Sequence, residues 1–117
     1  MHWTIDMTTD GLLEARVSGE LTAADLTAFV VALARRTSAA RARRLLVDTS
    51  GLTSTWHATP TELRAVAAAG ARDRRLRLQI GVVAPSADAF ELGRTLPGVT
   101  VFRAREAATR FLAPSIP

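Results

Sequence analysis

The segment from Val47 to Leu63, VDTSGLTSTWHATPTEL, gathers side chains that binding or catalysis could use. Asp48 can carry a charge or accept hydrogen bonds. Thr49, Ser50, Thr53, Ser54 and Thr59 offer hydroxyls, His57 an imidazole, and Trp56 a flat apolar face. A Ser-His-Asp arrangement can be drawn from Ser50 or Ser54 with His57 and Asp48, but the segment has no glycine-flanked nucleophile elbow. The chain's other histidine is His2. Two histidines, no cysteine and no paired carboxylate spacing point to no metal site and no cofactor. Binding rather than catalysis is the chemistry these residues suggest, and no enzyme is expected.

Those residues need elements to hold them. Trp3, Ile5 and Met7 alternate with Thr4 and Asp6, as in a half-buried strand. Thr8 to Gly11 make a turn, and Leu13, Ala15 and Val17 alternate with Glu14, Arg16 and Ser18, which completes an N-terminal hairpin. Thr22, with Asp25 three residues on, fits a capping box that uses Asp in place of Glu. Leu26, Phe29, Val30 and Leu33 follow at helical spacing, with Arg35 and Arg36 expected in the last turn. Phe29, Val30 and Val31 together widen that apolar stripe, mainly for core packing. Arg44 to Thr49 reads as a strand buried on both faces.

Thr59, Pro60 and Glu62 form a strong helix start: cap, first-turn proline and acidic third position. Leu76 to Val83 is the next strand, and Ser86 caps a third helix through Leu92. Val99 to Phe102 is a last strand and Glu106 to Leu112 a last helix. The order β-β-α-β-α-β-α-β-α predicts one α/β domain over residues 1–117. Its sheet is five-stranded and mainly parallel, with right-handed crossovers and one antiparallel strand from the hairpin.

In such a sheet the loop from Ser50 to Ala58 leaves the carboxyl end of a parallel strand, where ligands usually bind. The plainer alternative is a surface loop whose hydroxyls satisfy their own backbone. At the other end, Arg41, Arg43 and Arg44 precede one strand, and Arg72, Arg74 and Arg75 the next. They are a candidate basic rim for an acidic partner, or simply exposed arginines. All 15 basic residues are Arg and the net charge is +4. No aromatics interleave with them as single-strand binders require, so nucleic acid is not expected. No apolar run approaches the roughly 20 residues of a membrane span. The absence of cysteine and of a leader-like start suits the cytoplasm.

Gly19-Glu20-Leu21-Thr22 before the first helix, Leu46-Val-Asp-Thr-Ser-Gly-Leu52, and Val101-Phe102 followed by Glu106-Ala107 together resemble the STAS, or SpoIIAA-like, family. The resemblance covers nearly the whole chain and implies the SpoIIAA-like fold. In the family's signalling branch, an Asp-Ser-x-Gly-Leu motif carries a phosphorylated hydroxyl that switches binding off. Two registers compete. In one, Thr49 or Ser50 is the phosphoacceptor and a helix begins near Gly51. That places Pro60 inside a helix, at a cost of roughly 3 kcal/mol. In the other, Asp48 to Leu52 is the strand end, and the family's site falls near Trp56, His57 and Ala58, which hold neither acid nor hydroxyl.

The second register fits the Thr59-Pro60-x-Glu62 start better. It implies a divergent, STAS-like binding module without the usual phosphosite. The expected partner is a protein or a second copy of the chain. The alternatives are a phospho-regulated anti-anti-sigma factor and a carrier of a small apolar molecule or lipid beneath the second and third helices.

Overall fold

A computed structural model describes residues 1–8, 11–56, 79–84, 86, 87, 90, 91, 94 and 99–113. Five strands make one sheet: β1 (His2–Met7), β2 (Leu12–Leu21), β3 (Arg44–Trp56), β4 (Gln79–Val83) and β5 (Thr100–Phe102). They lie in chain order. β1 and β2 are antiparallel, and every later pairing is parallel. The α/β class and the mainly parallel sheet with its opening hairpin agree with the sequence pattern. The second helix expected from Thr59 lies outside the described residues. At the third, Phe90 N–H donates to Ser86 O and Arg94 N–H to Phe90 O, the spacing of helical turns.

Helix α1 (Ala23–Ala40) starts as its sequence dictates, with the Asp25 amide donating to Thr22 Oγ1. The reciprocal half of the expected capping box is replaced. The Asp25 carboxylate accepts instead from the N-terminal ammonium at 3.1 Å, which holds its pKa below the usual range. α1 also runs further than the Arg35-Arg36 signal suggests. Thr37 takes the next position of the buried stripe and donates to Leu33 O, so burial carries the helix on to Ala40. Arg41 then closes it in the left-handed conformation.

Strand alternation sorts the core into two layers. Leu13, Ala15, Val17, Leu45 and Val47 face α1 and pack with Phe29, while Trp3 tilts against the Phe29 ring at 5.7 Å. Of the three apolar α1 residues, Phe29 joins this core and Val31 is exposed. Leu12, Leu46 and Val83 face the other way and pack with Ala108 and Leu112 of α2 (Arg105–Phe111). Among the described residues, no helix is long and apolar enough to cross a membrane.

Candidate functional site

Glu14 follows Leu12, and Asp48 follows Leu46, at the two-residue period of a strand. Both carboxylates therefore lie on the face that α2 covers. On α2, Arg105 precedes Ala108 by three positions and Leu112 by seven, so it shares their buried stripe. The guanidinium bridges the strands: Nη1 donates to Asp48 Oδ2 at 2.8 Å and Nη2 donates to Glu14 Oε1. Arg16 Nε adds a bond to Glu14 at 2.9 Å. The Glu14 and Asp48 side chains are 14% and 13% exposed, and that of Arg105 is 39% exposed.

These charges tune one another. Burial pushes the Glu14 carboxyl up, but the hydrogen bonds from Arg105 and Arg16 outweigh it and hold it below its ordinary value. Burial likewise raises Asp48, and the Ser50 hydroxyl and amide, with Arg105, bring it below the normal range. Arg105 is held above its ordinary value, first by Glu14 and then by Asp48, against the effect of burial. Both acids are ionised at neutral pH. A carboxyl poised as a general acid at neutral pH needs a raised pKa, whereas both of these are lowered.

Beyond Asp48 the β3 ladder changes. Arg16 pairs with Asp48 but Ser18 pairs with Gly51, so β3 carries one residue more than β2 in this interval. The Ser50 amide bonds Asp48 Oδ1 at 2.9 Å, and the Ser50 hydroxyl donates to the same oxygen at 2.5 Å. Asp48 thus caps its own bulge. Gly51 is needed there because a Cβ would stand 2.9 Å from Val17 O and 3.0 Å from Ser18 Cβ. Thr49 turns the other way, and its hydroxyl donates to Val83 O as β4 ends. A shallow groove of about 270 Å³ opens beside the bulge, lined by His2, Thr4, Arg16, Ser18, Asp48 and Ser50 among others.

Past Gly51 the structure departs from the sequence pattern. The loop expected from Ser50 to Ala58 is strand as far as Trp56, paired with β2 through Leu21↔Trp56. A second register shift between Gly19 and Leu21 gives β3 further extra residues. No helix begins at Gly51, and the strand also runs past Leu52, where the second register ended it. Of the candidate binding residues, Asp48 and Ser50 come together, Thr49 is diverted to β4, and Thr53 is exposed on β3. Ser54 and Trp56 are placed by their backbone in β3, while His57 and Thr59 lie outside the described residues.

Of the basic rim, Arg41 caps α1, Arg43 is exposed, and Arg44 Nη1 donates to Leu112 O at 2.6 Å, bracing the end of α2. Arg72, Arg74 and Arg75 lie outside the described residues, as does the space beneath the second and third helices. No cluster of three or more metal-ligating side chains occurs among the described residues.

Arg105 and Glu14 were not legible as site residues. One signal was available for Arg105: a cation in the first turn of a helix opposes the dipole, so another interaction must hold it there.

No protein-family model matches this sequence, and no curated protein matches it. Among solved structures, the chain is similar to the anti-sigma factor antagonist SpoIIAA in its unphosphorylated form. The match spans 94% of this chain and 97% of that one at 15% identity, with a TM-score of 0.59. The fold is SpoIIAA-like. In this SpoIIAA-like sheet, the Glu14–Arg105–Asp48 bridge ties α2 to β2 and β3. The bulge at Thr49 and Ser50 marks where β3 outgrows β4.

Proposed function

We propose that this chain is a non-catalytic regulatory module that binds another protein in the cytoplasm through the Asp48 to Pro60 edge. One observation carries the reading: β3 outruns its neighbour. Asp48↔Val83 is the last β3–β4 pair, yet β3 continues beside β2 to Trp56. Among the described residues the extension has no strand on its β4 side, and Ser50 and Thr53 are exposed. The nearby carboxylates are already neutralised by Arg105, which favours recognition by shape and hydrogen bonding over reaction. Likeness to an anti-sigma factor antagonist supports a protein as partner.

Trp56 is the anchor in this reading, since buried aromatics carry much of the energy at interfaces. The test is capture of partners from the protein's own cells by the tagged wild-type chain and by Trp56→Ala. Recovery of the partner should fall by about tenfold or more, as loss of an aromatic hot spot predicts. Unchanged recovery would remove Trp56 from the interface. Intact native mass spectrometry of the same material separates the rivals. One added phosphate would make Thr49 or Ser50 a switch, and a co-purified apolar molecule would make the chain a carrier.

A further inference from the structure

β1 is an edge strand. Among the described residues it pairs only with β2, in a single register from His2↔Ser18 to Met7↔Leu13 without a bulge. Edge strands that must stay unpaired are commonly blunted by Lys, by Pro or by a bulge. β1, with the sequence HWTIDM, has no Lys, Pro or bulge, and its one acid, Asp6, stands near its end. At the opposite side of the sheet β5 has three residues, too few to recruit much.

The hairpin shows which backbone groups of β1 face outward. Thr8 N–H donates to Leu12 O at 2.8 Å, which makes Thr8 and Leu12 a hydrogen-bonded pair. Hydrogen-bonded and non-hydrogen-bonded pairs alternate along an antiparallel ladder. Asp6, Thr4 and His2 therefore direct their backbone groups to β2. Met7, Ile5 and Trp3 direct theirs to the open edge.

We propose that this edge binds a second copy of the same chain, with the two β1 strands antiparallel about a two-fold axis at Thr4. In that register Trp3 lies opposite Ile5 of the second copy, and both turn their amides and carbonyls toward each other. They form the hydrogen-bonded pair the ladder demands. Thr4 meets Thr4, and His2 meets Asp6 of the second copy in the close, non-hydrogen-bonded class of pair.

The side chains agree with the backbone. His2, Thr4 and Asp6 are exposed on one face, while Trp3 and Ile5 are half-buried on the α1 face. A two-fold axis normal to the sheet keeps each set on its own side. Registers centred on Trp3 or Ile5 also satisfy the backbone, but they set His2 or Asp6 opposite Thr4 and lose both imidazole–carboxylate pairs. The facing of imidazole and carboxylate therefore selects among the registers that the hydrogen bonds permit. The product is one continuous ten-stranded sheet with both α1 helices on the same face.

Sedimentation velocity across the micromolar range, on the wild-type chain, His2→Asp and His2→Asp/Asp6→Arg, tests this. The wild type should sediment as a reversible dimer. His2→Asp sets two acids opposite each other at both symmetric positions and should weaken association roughly tenfold. The double variant sets an Asp opposite an Arg at both symmetric positions and should restore it to within about threefold. Both positions are solvent-facing, and matching circular dichroism spectra would confirm that the variants are folded. Hydrogen exchange adds a second readout: the Trp3 and Ile5 amides should slow as the dimer forms. A wild-type monomer throughout the range would overturn the proposal. So would a dimer indifferent to His2→Asp, a double variant without recovery, or protection that leaves Trp3 and Ile5 unchanged.

Discussion

Replacing Arg105 with Met keeps most of the side-chain volume and removes the charge that Glu14 and Asp48 share. Each carboxylate bonds a different nitrogen of one guanidinium, so the two acids stand roughly 5 Å apart. At an effective dielectric constant of about 20, like charges at that distance repel by about 3 kcal/mol. Removing one partner of a buried pair costs about 3–5 kcal/mol, and an exposed pair contributes about 0–1. Here the acids are 13–14% exposed but the arginine is 39% exposed. Solvent screening therefore brings the expected loss to about 2 kcal/mol.

Urea denaturation followed by tryptophan fluorescence measures it. With a slope of about 1.5 kcal/mol/M, the midpoint should fall by about 1.3 M at pH 7 with the slope unchanged. The loss must also depend on pH in a definite direction. Without Arg105 the two acids raise each other's pKa, so protonation on acidification relieves the repulsion. The gap between variant and wild type should then narrow as pH falls from 7 toward 4. An unchanged midpoint at pH 7, or a gap that stays constant with pH, would refute the reasoning.

In the wild type, the folded-state pKa values of Glu14 and Asp48 lie below their ordinary values, so the unfolded chain binds more protons across that interval. Their contribution is complete above the ordinary carboxylate range and is lost as pH falls through the depressed values. Denaturation midpoints between pH 7 and pH 2 should show it. Gly51→Ala forces a methyl group against Val17 O and Ser18 at the β3 bulge. It should cost about 2 kcal/mol and lower the calorimetric Tm by roughly 8 °C. Thr22→Ala deletes the acceptor for the Asp25 amide. It should cost about 1 kcal/mol by urea denaturation, whereas Thr22→Ser should cost little.

Local rules were sufficient for much of the molecule. Alternation around Trp3–Met7 and Leu13–Val17 foretells the hairpin, and Thr22 with the Leu26-Phe29-Val30-Leu33 spacing foretells α1. Both signals act over a few residues and state which face will be buried. The apolar run before Asp48 likewise announces a strand, because only a sheet covered on both faces requires one so uniformly apolar.

The same local reading stops β3 at Thr49, because hydroxyl-rich sequence after an apolar run resembles a loop. β3 continues to Trp56 because β2 lies alongside it to Leu21, and no local propensity encodes the length of a neighbour. Asp48, Thr49 and Ser50 were visible as polar residues at a strand end, but their division of labour was not. Whether a hydroxyl turns to Asp48 or to Val83 depends on the register shift and on where β4 stops.

The sequence by itself determined the order of the hairpin and α1, the burial of the Arg44 to Thr49 run on both faces and the polar character of the stretch after Asp48. All of these follow from periodicity along the chain. Tertiary structure alone decided that Arg105 meets Glu14 and Asp48, residues 91 and 57 positions away. That meeting requires α2 to dock on the sheet face the two acids share. A charge finds such partners through packing, which sequence spacing does not record.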